Sequence, residues 1–125
     1  MNKGTKILIV EDDVFIRDIY NVKFNQEGFE VFLAEDGFKA LEKLETVVPD
    51  IVLLDITMPG LDGIDVLKKV KENPALVNVP IIMLTNISEK ERVQEAKELG
   101  IDEYMIKSQF TPSEVVQKVN SLLDA

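Results

Sequence analysis

Cysteine and histidine are both absent from this chain of 125 residues, and each absence excludes a class of chemistry. Without cysteine there is no disulfide framework and no thiolate metal site; the redox compartment is unconstrained, and the cytosol fits best. Without histidine, imidazole cannot act as a base, a nucleophile or a metal ligand. Metal binding or catalysis would therefore depend on carboxylates, hydroxyls and amines.

Positive charge and long apolar runs are also scarce. The chain has 23 Asp and Glu against 14 Lys and Arg, a net charge of −9. This charge argues against general binding to nucleic acid or an anionic membrane and favours a basic partner or a cation. The N-terminus leads into only four consecutive apolar residues, which is too short for a signal peptide or a membrane span.

The length and composition are typical of one globular domain. The 46% apolar and 30% charged content is ordinary for a soluble protein, and 125 residues can bury most of the surface that the unfolded chain exposes. We find no linker, repeat or low-complexity segment and expect a single domain over residues 1–125.

Five short segments are predicted to be β-strands. Unbroken apolar runs are typical of strands that are buried on both faces of a sheet. Glu30 in the second segment and the polar character of the fifth predict that these two strands lie at the sheet edges. The predicted strands cover residues 7–10, 29–34, 51–54, 80–84 and 102–107.

Apolar residues at three- and four-residue spacing predict a helix after each strand. The predicted inward-facing residues of the first two helices are Ile16, Ile19, Tyr20 and Phe24, then Ala40, Leu41, Leu44 and Val47 or Val48. Those of the other three are Ile64, Leu67 and Val70, then Val93, Ala96 and Leu99, then Val115, Val116, Val119, Leu122 and Leu123. The predicted stops are Gly28, residues 49–50, residues 73–74 and Gly100.

Polar residues predict where several helices begin. Asp13 is interpreted as a cap of the first helix rather than a ligand, and Asp62 as a cap of the third. Ser88 with Glu91 and Thr111 with Glu114 match capping boxes for the last two.

Strict alternation of strands and helices predicts a doubly wound α/β fold with a parallel sheet. Five strands fit the flavodoxin-like order 2-1-3-4-5, in which strands one and three are neighbours. Glu11 and Asp12 follow strand one, Asp55 ends strand three, Thr85 follows strand four, and Lys107 ends strand five. All five side chains are therefore expected at the carboxyl edge of the sheet.

This combination predicts a hard-cation site that supports phosphoryl transfer. Oxygen ligands without imidazole or thiolate favour Mg²⁺, and Mn²⁺ could replace it. Asp55 is a candidate nucleophile that would form an acyl phosphate, while Lys107 and Thr85 would contact the phosphoryl oxygens. Taken singly, Thr85 is more often a turn residue, Lys107 a solvated lysine and Tyr104 an edge-strand packing residue. A carboxylate that ends a buried run, like Asp55, is costly without a partner.

Four motifs make the chain resemble the receiver domains of two-component response regulators, the CheY-like family. These are Ile-Val-Glu-Asp-Asp at 9–13, Leu-Leu-Asp-Ile-Thr-Met-Pro-Gly-Leu-Asp-Gly at 53–63, Met-Leu-Thr at 83–85 and Gly-Ile-Asp-Glu-Tyr-Met-Ile-Lys at 100–107. The resemblance covers essentially the whole chain. It implies that Asp55 accepts a phosphoryl group from a phosphohistidine, and that Mg²⁺ is held by Glu11, Asp12, Asp55 and the backbone carbonyl of Thr57.

The resemblance also implies a switch and partners. Phosphorylation would draw Thr85 inward and let Tyr104 turn in, which remodels the face formed by the fourth helix, fifth strand and fifth helix. The expected partners are a sensor histidine kinase or phosphotransfer protein and a downstream protein at that face, with a homodimer as an alternative. The expected protein is cytoplasmic, binds no nucleic acid or membrane directly, and is no enzyme beyond promoting its own phosphorylation and dephosphorylation.

Two positions depart from the usual family pattern. Family members usually follow the lysine with a cis proline, but Ser108 follows Lys107 here. Because a cis bond without proline costs about 2.5–4 kcal/mol, we predict a trans bond and a slightly displaced loop. The residue after Thr85 is commonly small, but here it is Asn86. With Thr57 it is expected to tune hydrolysis, and its size predicts a long-lived phosphoryl state.

Two other functions remain open from the sequence. One is a constitutive interaction module with this fold that is never phosphorylated, against which the complete acid set argues. The other is a phosphatase with an aspartyl nucleophile. Such enzymes ordinarily carry a second Asp two residues after the first, where this chain has Thr57.

Overall fold

The computed structural model describes residues 4–86 and 90–124, apart from the side chain of Lys90. Its strands are β1 (Lys6–Val10), β2 (Glu30–Ala34), β3 (Ile51–Asp55), β4 (Ile81–Thr85) and β5 (Glu103–Ile106). Its helices are α1 (Val14–Gln26), α2 (Gly37–Leu44), α3 (Gly63–Glu72), α4 (Lys90–Leu99) and α5 (Pro112–Leu123). A 3₁₀ turn, Lys107–Gln109, follows β5.

The five strands form one parallel sheet in the order β2-β1-β3-β4-β5. The predicted doubly wound α/β fold and its strand order are therefore confirmed, as are the two edge strands. β1 and β3 are neighbours although β2 separates them in the chain, and Val10 pairs with Leu54 in this register. This is the switch point of the sheet, where ligands bind in folds of this class.

Alternate strand residues build two hydrophobic layers, one on each face of the sheet. Leu8 and Val10 pack in a cluster with residues of α2, α3 and α4. Ile7 and Ile9 pack in a second cluster with residues of α1 and α5. Burial on both faces explains why the central strands are continuous apolar runs. No helix within the described residues combines the length and apolar composition needed to cross a bilayer.

Side-chain caps begin several helices, as the sequence predicts. The Asp13 carboxylate accepts hydrogen bonds from the backbone N–H groups of Phe15 at 2.9 Å and Ile16 at 3.2 Å. Asp62 forms a capping box with Asp65, and Thr111 forms the predicted box with Glu114. The box predicted for Ser88 and Glu91 depends on Ser88, which lies outside the described residues.

The predicted extension of α2 to Val47 or Val48 is wrong, because the helix ends at Leu44. Residues 46–48 are all β-branched and are therefore poor helix formers. Pro49 further disfavours the helical conformation in the residue before it. Val48 is 55% exposed and contributes nothing to the core.

The predicted inward position of Ile19 in α1 is also wrong. Its side chain is 52% exposed, whereas Tyr20 and Phe24 are buried and Ile16 packs against the same cluster. These three residues already cover the face of α1 that meets the sheet. Ile19 therefore belongs, with Phe15 and Val22, to an exposed apolar stripe on α1.

Candidate functional site

Three acids meet at the carboxyl edge of the two central strands. Glu11 directly follows β1, and Asp55 is the last residue of β3. Because Val10 pairs with Leu54, these two acids end neighbouring strands side by side. One carboxylate oxygen from each of Glu11, Asp12 and Asp55 lies within 4.8 Å of the others. The structure thus brings together the acids that the sequence placed at this edge.

The three acids differ in their exposure to solvent. Glu11 is fully buried and Asp55 is 3% exposed, while Asp12 is exposed. An all-oxygen group of this kind fits a hard cation such as Mg²⁺, which commonly keeps several water ligands. The exposed Asp12 leaves the group accessible from solvent.

Hydrogen bonds hold Glu11 on several sides. Its backbone N–H donates to the carbonyl oxygen of Ala34 at 3.0 Å, and its own carbonyl oxygen accepts from Arg17 Nη1 at 2.8 Å. Its side-chain Oε2 accepts from the backbone N–H of Asp13 at 3.1 Å. The carboxylate is therefore fixed in place before any ligand arrives.

The loop between β3 and α3 folds back against Asp55. The backbone N–H of Gly63 donates to the carbonyl oxygen of Ile56 at 2.9 Å. A Cβ atom at Gly63 would lie 2.2 Å from the backbone oxygen of Asp55, so only glycine permits this approach. Thr57, whose carbonyl was predicted as a metal ligand, lies in this loop two residues after Asp55.

Lys107 lies between the two buried acids. Its Nζ is 2.7 Å from Glu11 Oε1 and 3.0 Å from Asp55 Oδ2. No peptide bond is cis in the described part of the chain, so the predicted trans bond to Ser108 is confirmed. Lys107 reaches the acids even though it begins a 3₁₀ turn instead of ending β5 as predicted.

Burial and neighbouring charges shift the pKa values of Asp55 and Lys107. The pKa of Asp55 is raised to about 8, mainly because burial penalises its charged form and also because Glu11 is negative, while Lys107 acts in the opposite direction. Burial would lower the pKa of Lys107, but Glu11 and Asp55 together outweigh burial and raise that pKa. The Lys107 ammonium thus contacts both carboxyl groups, and their remaining negative charge would stabilise a second cation at this place.

Thr85, Asn86 and Tyr104 line one cavity of about 230 Å³ between α4 and β5. Thr85 is 1% exposed, and its hydroxyl donates to the backbone carbonyl of Asn86 at 3.0 Å. Thr85 lies one residue beyond Leu84, the residue that pairs with Asp55. Tyr104 is half-buried on the edge strand. The two predicted switch residues therefore share a cavity next to the acid group.

The sequence pattern does not predict the surroundings of two further polar residues, Tyr20 and Arg92. The pKa of Tyr20 is raised mainly by burial, with Lys107 opposing and Glu11 and Asp55 adding to the effect, so its hydroxyl lies within their electrostatic influence. Arg92 of α4 donates to the carboxylate of Asp62 at the start of α3. A hydroxyl inside an apolar stripe was the only signal for Tyr20, and nothing in the sequence paired Arg92 with Asp62.

The fold and the site define a flavodoxin-like α/β domain with a candidate cation site at its switch point. Residues 7–120 match the family model described as the response regulator receiver domain. The chain therefore belongs to the response regulator receiver domain family of two-component signalling. Members of this family are phosphoacceptor switches that bind Mg²⁺ at an acidic site.

Curated relatives agree with this assignment. The chain is 40% identical over 123 residues to the alkaline phosphatase synthesis transcriptional regulatory protein PhoP of Bacillus subtilis, covering 98% of this chain and 49% of PhoP. It is 44% identical over 95 residues to sporulation initiation phosphotransferase F of the same organism, covering 76% of this chain and 75% of that protein. The chain thus spans about half the length of PhoP.

Solved structures share the whole fold. The chemotaxis response regulator CheY4 of Vibrio cholerae superposes with a TM-score of 0.87 at 29% identity, covering 95% of this chain and 98% of CheY4. The receiver domain of sensor histidine kinase PA1611 from Pseudomonas aeruginosa superposes with a TM-score of 0.88 at 25% identity, covering 98% of this chain and 99% of that domain. The latter is described with a magnesium ion coordinated in its active site cleft.

Proposed function

We propose that this chain is a Mg²⁺-dependent phosphoryl acceptor in which Asp55 is phosphorylated, and that phosphorylation controls its protein interactions. The proposal rests on one observation: Asp55 ends a buried strand with two further acids within 4.8 Å and a lysine ammonium at 3.0 Å. We also infer that residues 1–125 form a single receiver domain, since the family match covers residues 7–120.

The reaction would be attack of an Asp55 carboxylate oxygen on the phosphorus of a phosphohistidine. A P–O bond forms, the P–N bond breaks, and its electron pair returns to the imidazole, which leaves neutral when its other nitrogen carries a proton. The Lys107 ammonium is close enough to Asp55 to stabilise charge on the phosphoryl oxygens during this transfer. The donor would be a sensor histidine kinase or a phosphotransfer protein.

Glu11, Asp12 and Asp55 would hold the Mg²⁺ together with the backbone carbonyl of Thr57, and Mn²⁺ could replace it. The bound ion would supply positive charge that favours ionisation of Asp55 and offsets the charge of the phosphoryl group. With a pKa of about 8, much of Asp55 is protonated at neutral pH in the metal-free protein, and a protonated carboxyl is a poor nucleophile.

The output would arise at the face formed by α4, β5 and α5. The Thr85 hydroxyl, which bonds to the Asn86 carbonyl in this structure, would turn toward a phosphoryl oxygen on Asp55. Tyr104 would then enter the cavity that both residues line. A downstream protein, or a second copy of the chain, would bind this face in only one of the two states.

The phosphodonor protein would dock on α1. Phe15, Ile19 and Val22 form an exposed apolar stripe on this helix, with 77%, 52% and 56% exposure. α1 begins two residues after Asp12, so a protein bound along it lies next to the phosphorylation site. Ile19→Asp should therefore slow phosphorylation by a donor protein at least about tenfold, as expected for a central interface residue. Phosphorylation by acetyl phosphate should be unchanged, and equal slowing with both donors would contradict this docking site.

The phosphorylation itself is tested with acetyl phosphate and Mg²⁺, using intact-protein mass spectrometry. The wild-type chain should gain one phosphoryl group, and Asp55→Asn should gain none. Asp50→Asn, at the opposite end of the same strand, is the matched control and should be phosphorylated normally. Uptake by Asp55→Asn would assign the acceptor elsewhere. Failure of the wild type to take up phosphate or bind beryllofluoride would favour the constitutive interaction module.

The lifetime of the phosphoryl group is a separate prediction. Thr57 and Asn86 lie in the loops that follow Asp55 and Thr85, where they would control access of the attacking water. We expect the larger Asn86 side chain to give a long-lived phosphoryl state. A half-life of seconds for the purified phosphoprotein would contradict this expectation.

A further inference from the structure

A cation lies over the aromatic ring of the candidate switch residue. The Nζ atom of Lys97 is 4.7 Å from the ring centroid of Tyr104. Lys97 is exposed in the last turn of α4, and Tyr104 is half-buried on β5. Both residues line the cavity that also contains Thr85, and Lys97 is the charged residue among the described residues that line it.

The contact depends on where the tyrosine ring lies. An ammonium within about 6 Å of a ring centroid is attracted to the negative face of the ring. A ring that turned toward Thr85 would give up its present contact with the Lys97 ammonium, which is itself exposed to solvent. The cavity volume of about 230 Å³ exceeds the ~150 Å³ of an apolar protein cavity that binds benzene, so it has room for an aromatic ring.

We propose that Lys97 acts as a latch that holds Tyr104 at the outer wall of this cavity and so opposes the switched state. The inference rests on the proposed function, because the inward position of Tyr104 has consequences only if Thr85 responds to a phosphoryl group at Asp55. It adds a regulatory residue on α4 that lies outside the phosphorylation chemistry.

Lys97 also has a role that does not involve Tyr104. A lysine in the last turn of a helix is also stabilised by the helix dipole. The chain contains a matched pair: Lys43 lies in the last turn of α2, and its Nζ is 5.8 Å from the ring centroid of Phe32 on the other edge strand. Lys43 therefore has the same helix position and the same kind of aromatic contact, away from the cavity beside Thr85.

The test uses protein labelled with 3-fluorotyrosine and ¹⁹F NMR. The chain contains two tyrosines, so Tyr20→Phe assigns the remaining signal to Tyr104. In the Mg²⁺-bound, unphosphorylated protein, Lys97→Met should move the Tyr104 signal toward its beryllofluoride-bound position. The population of the inward state should rise about two- to fivefold, which corresponds to about 0.5–1 kcal/mol for an exposed cation–π contact. Lys97→Arg keeps the cation and should leave the signal near its wild-type position.

The outcomes separate the latch from the proposed function. If beryllofluoride moves the wild-type Tyr104 signal but Lys97→Met does not, the latch is wrong and the switch stands. If Lys43→Met moves the signal as much as Lys97→Met, the effect is a general loss of helix charge and the latch is again wrong. If beryllofluoride leaves the wild-type signal unchanged, Tyr104 has no switched position, and both the switch and the latch are overturned.

Discussion

Acidic residues lie at both ends of the sheet, but they differ in burial and in the groups that they contact. At the amino end, Asp50 and Asp102 directly precede β3 and β5, and both residues are exposed to solvent. The Asp50 carboxylate accepts from the N–H of Lys6 at 2.7 Å, and its own N–H donates to the Lys6 carbonyl at 2.8 Å. Asp102 forms the same two hydrogen bonds with Ile81. Its carboxylate accepts from the Ile81 N–H at 2.8 Å, and its own N–H donates to the Ile81 carbonyl at 3.1 Å.

At the carboxyl end, the acids are buried and share a cation. Glu11 and Asp55 both contact the Lys107 ammonium, and the pKa of Asp55 is raised to about 8. Exposed acids that accept backbone hydrogen bonds stabilise strand pairing, whereas acids buried side by side destabilise the fold unless a cation joins them. From this difference we propose that the amino-end acids serve the architecture and the carboxyl-end acids serve ligand binding.

The largest expected effect concerns Mg²⁺, which should stabilise the protein only through the carboxyl-end acids. At a hundredfold excess over its Kd, Mg²⁺ should raise the free energy of unfolding by about 2.7 kcal/mol. Asp12→Ala should abolish this gain, as measured by urea denaturation with and without Mg²⁺.

Asp13→Ala is the matched control for this experiment, because Asp13 is also exposed and adjacent but caps α1. It should cost about 1 kcal/mol of stability through loss of the cap and should keep the full response to Mg²⁺. An undiminished response in Asp12→Ala would place the cation elsewhere in the protein.

The next effect is a dependence on pH in the metal-free protein. Asp55 has a folded pKa of about 8 against an ordinary value of 3.8, so between these values the folded state binds more protons than the unfolded chain. The contribution of Asp55 to stability therefore falls as the pH rises through this window. Lys107, whose pKa is raised, keeps its charge throughout the window and does not reverse the trend.

Asp55→Asn removes this titration and should become more stable relative to wild type as the pH rises. The difference between the two free energies of unfolding should increase by at most about 1.4 kcal/mol per pH unit. It is measured by denaturation in EDTA across the window. A difference that stays constant between about pH 5 and pH 7 would show that Asp55 ionises normally despite its burial.

The sequence predicts the carboxyl-end site because its positions follow from local patterns. Apolar runs locate the strand ends, and alternation of strands and helices predicts a parallel sheet for which five strands fit the order 2-1-3-4-5. Glu11, Asp12, Asp55, Thr85 and Lys107 could therefore be assigned to one edge. The contacts of Arg92 with Asp62 and of Lys97 with Tyr104 depend on how α4 is rotated and shifted against its neighbours. Hydrophobic spacing gives the buried face of a helix but not the partners of its flanking side chains.

The hydrogen-bonded pairs at the amino end of the sheet could not be predicted from the sequence for a similar reason. Asp50 was interpreted only as part of a helix stop, and Asp102 only as the start of the fifth strand. Their hydrogen bonds to Lys6 and Ile81 require the register of neighbouring strands to be known to the residue. The predicted length of α2 was wrong because Val47 and Val48 continue the apolar spacing of the helix beyond its end at Leu44.

The smallest expected effect is at the amino end. Asp102→Ala removes the acceptor for the Ile81 N–H and should lower the free energy of unfolding by about 1 kcal/mol, the usual net value of one hydrogen bond. Asp102→Asn keeps an acceptor oxygen and should lose less. Both variants should take up phosphate and respond to Mg²⁺ like wild type, because Lys107, which reaches the site, follows the opposite end of β5. Reduced phosphate uptake in Asp102→Asn at unchanged stability would mean that the two ends of the sheet are coupled, and that the division between architectural and ligand-binding acids is wrong.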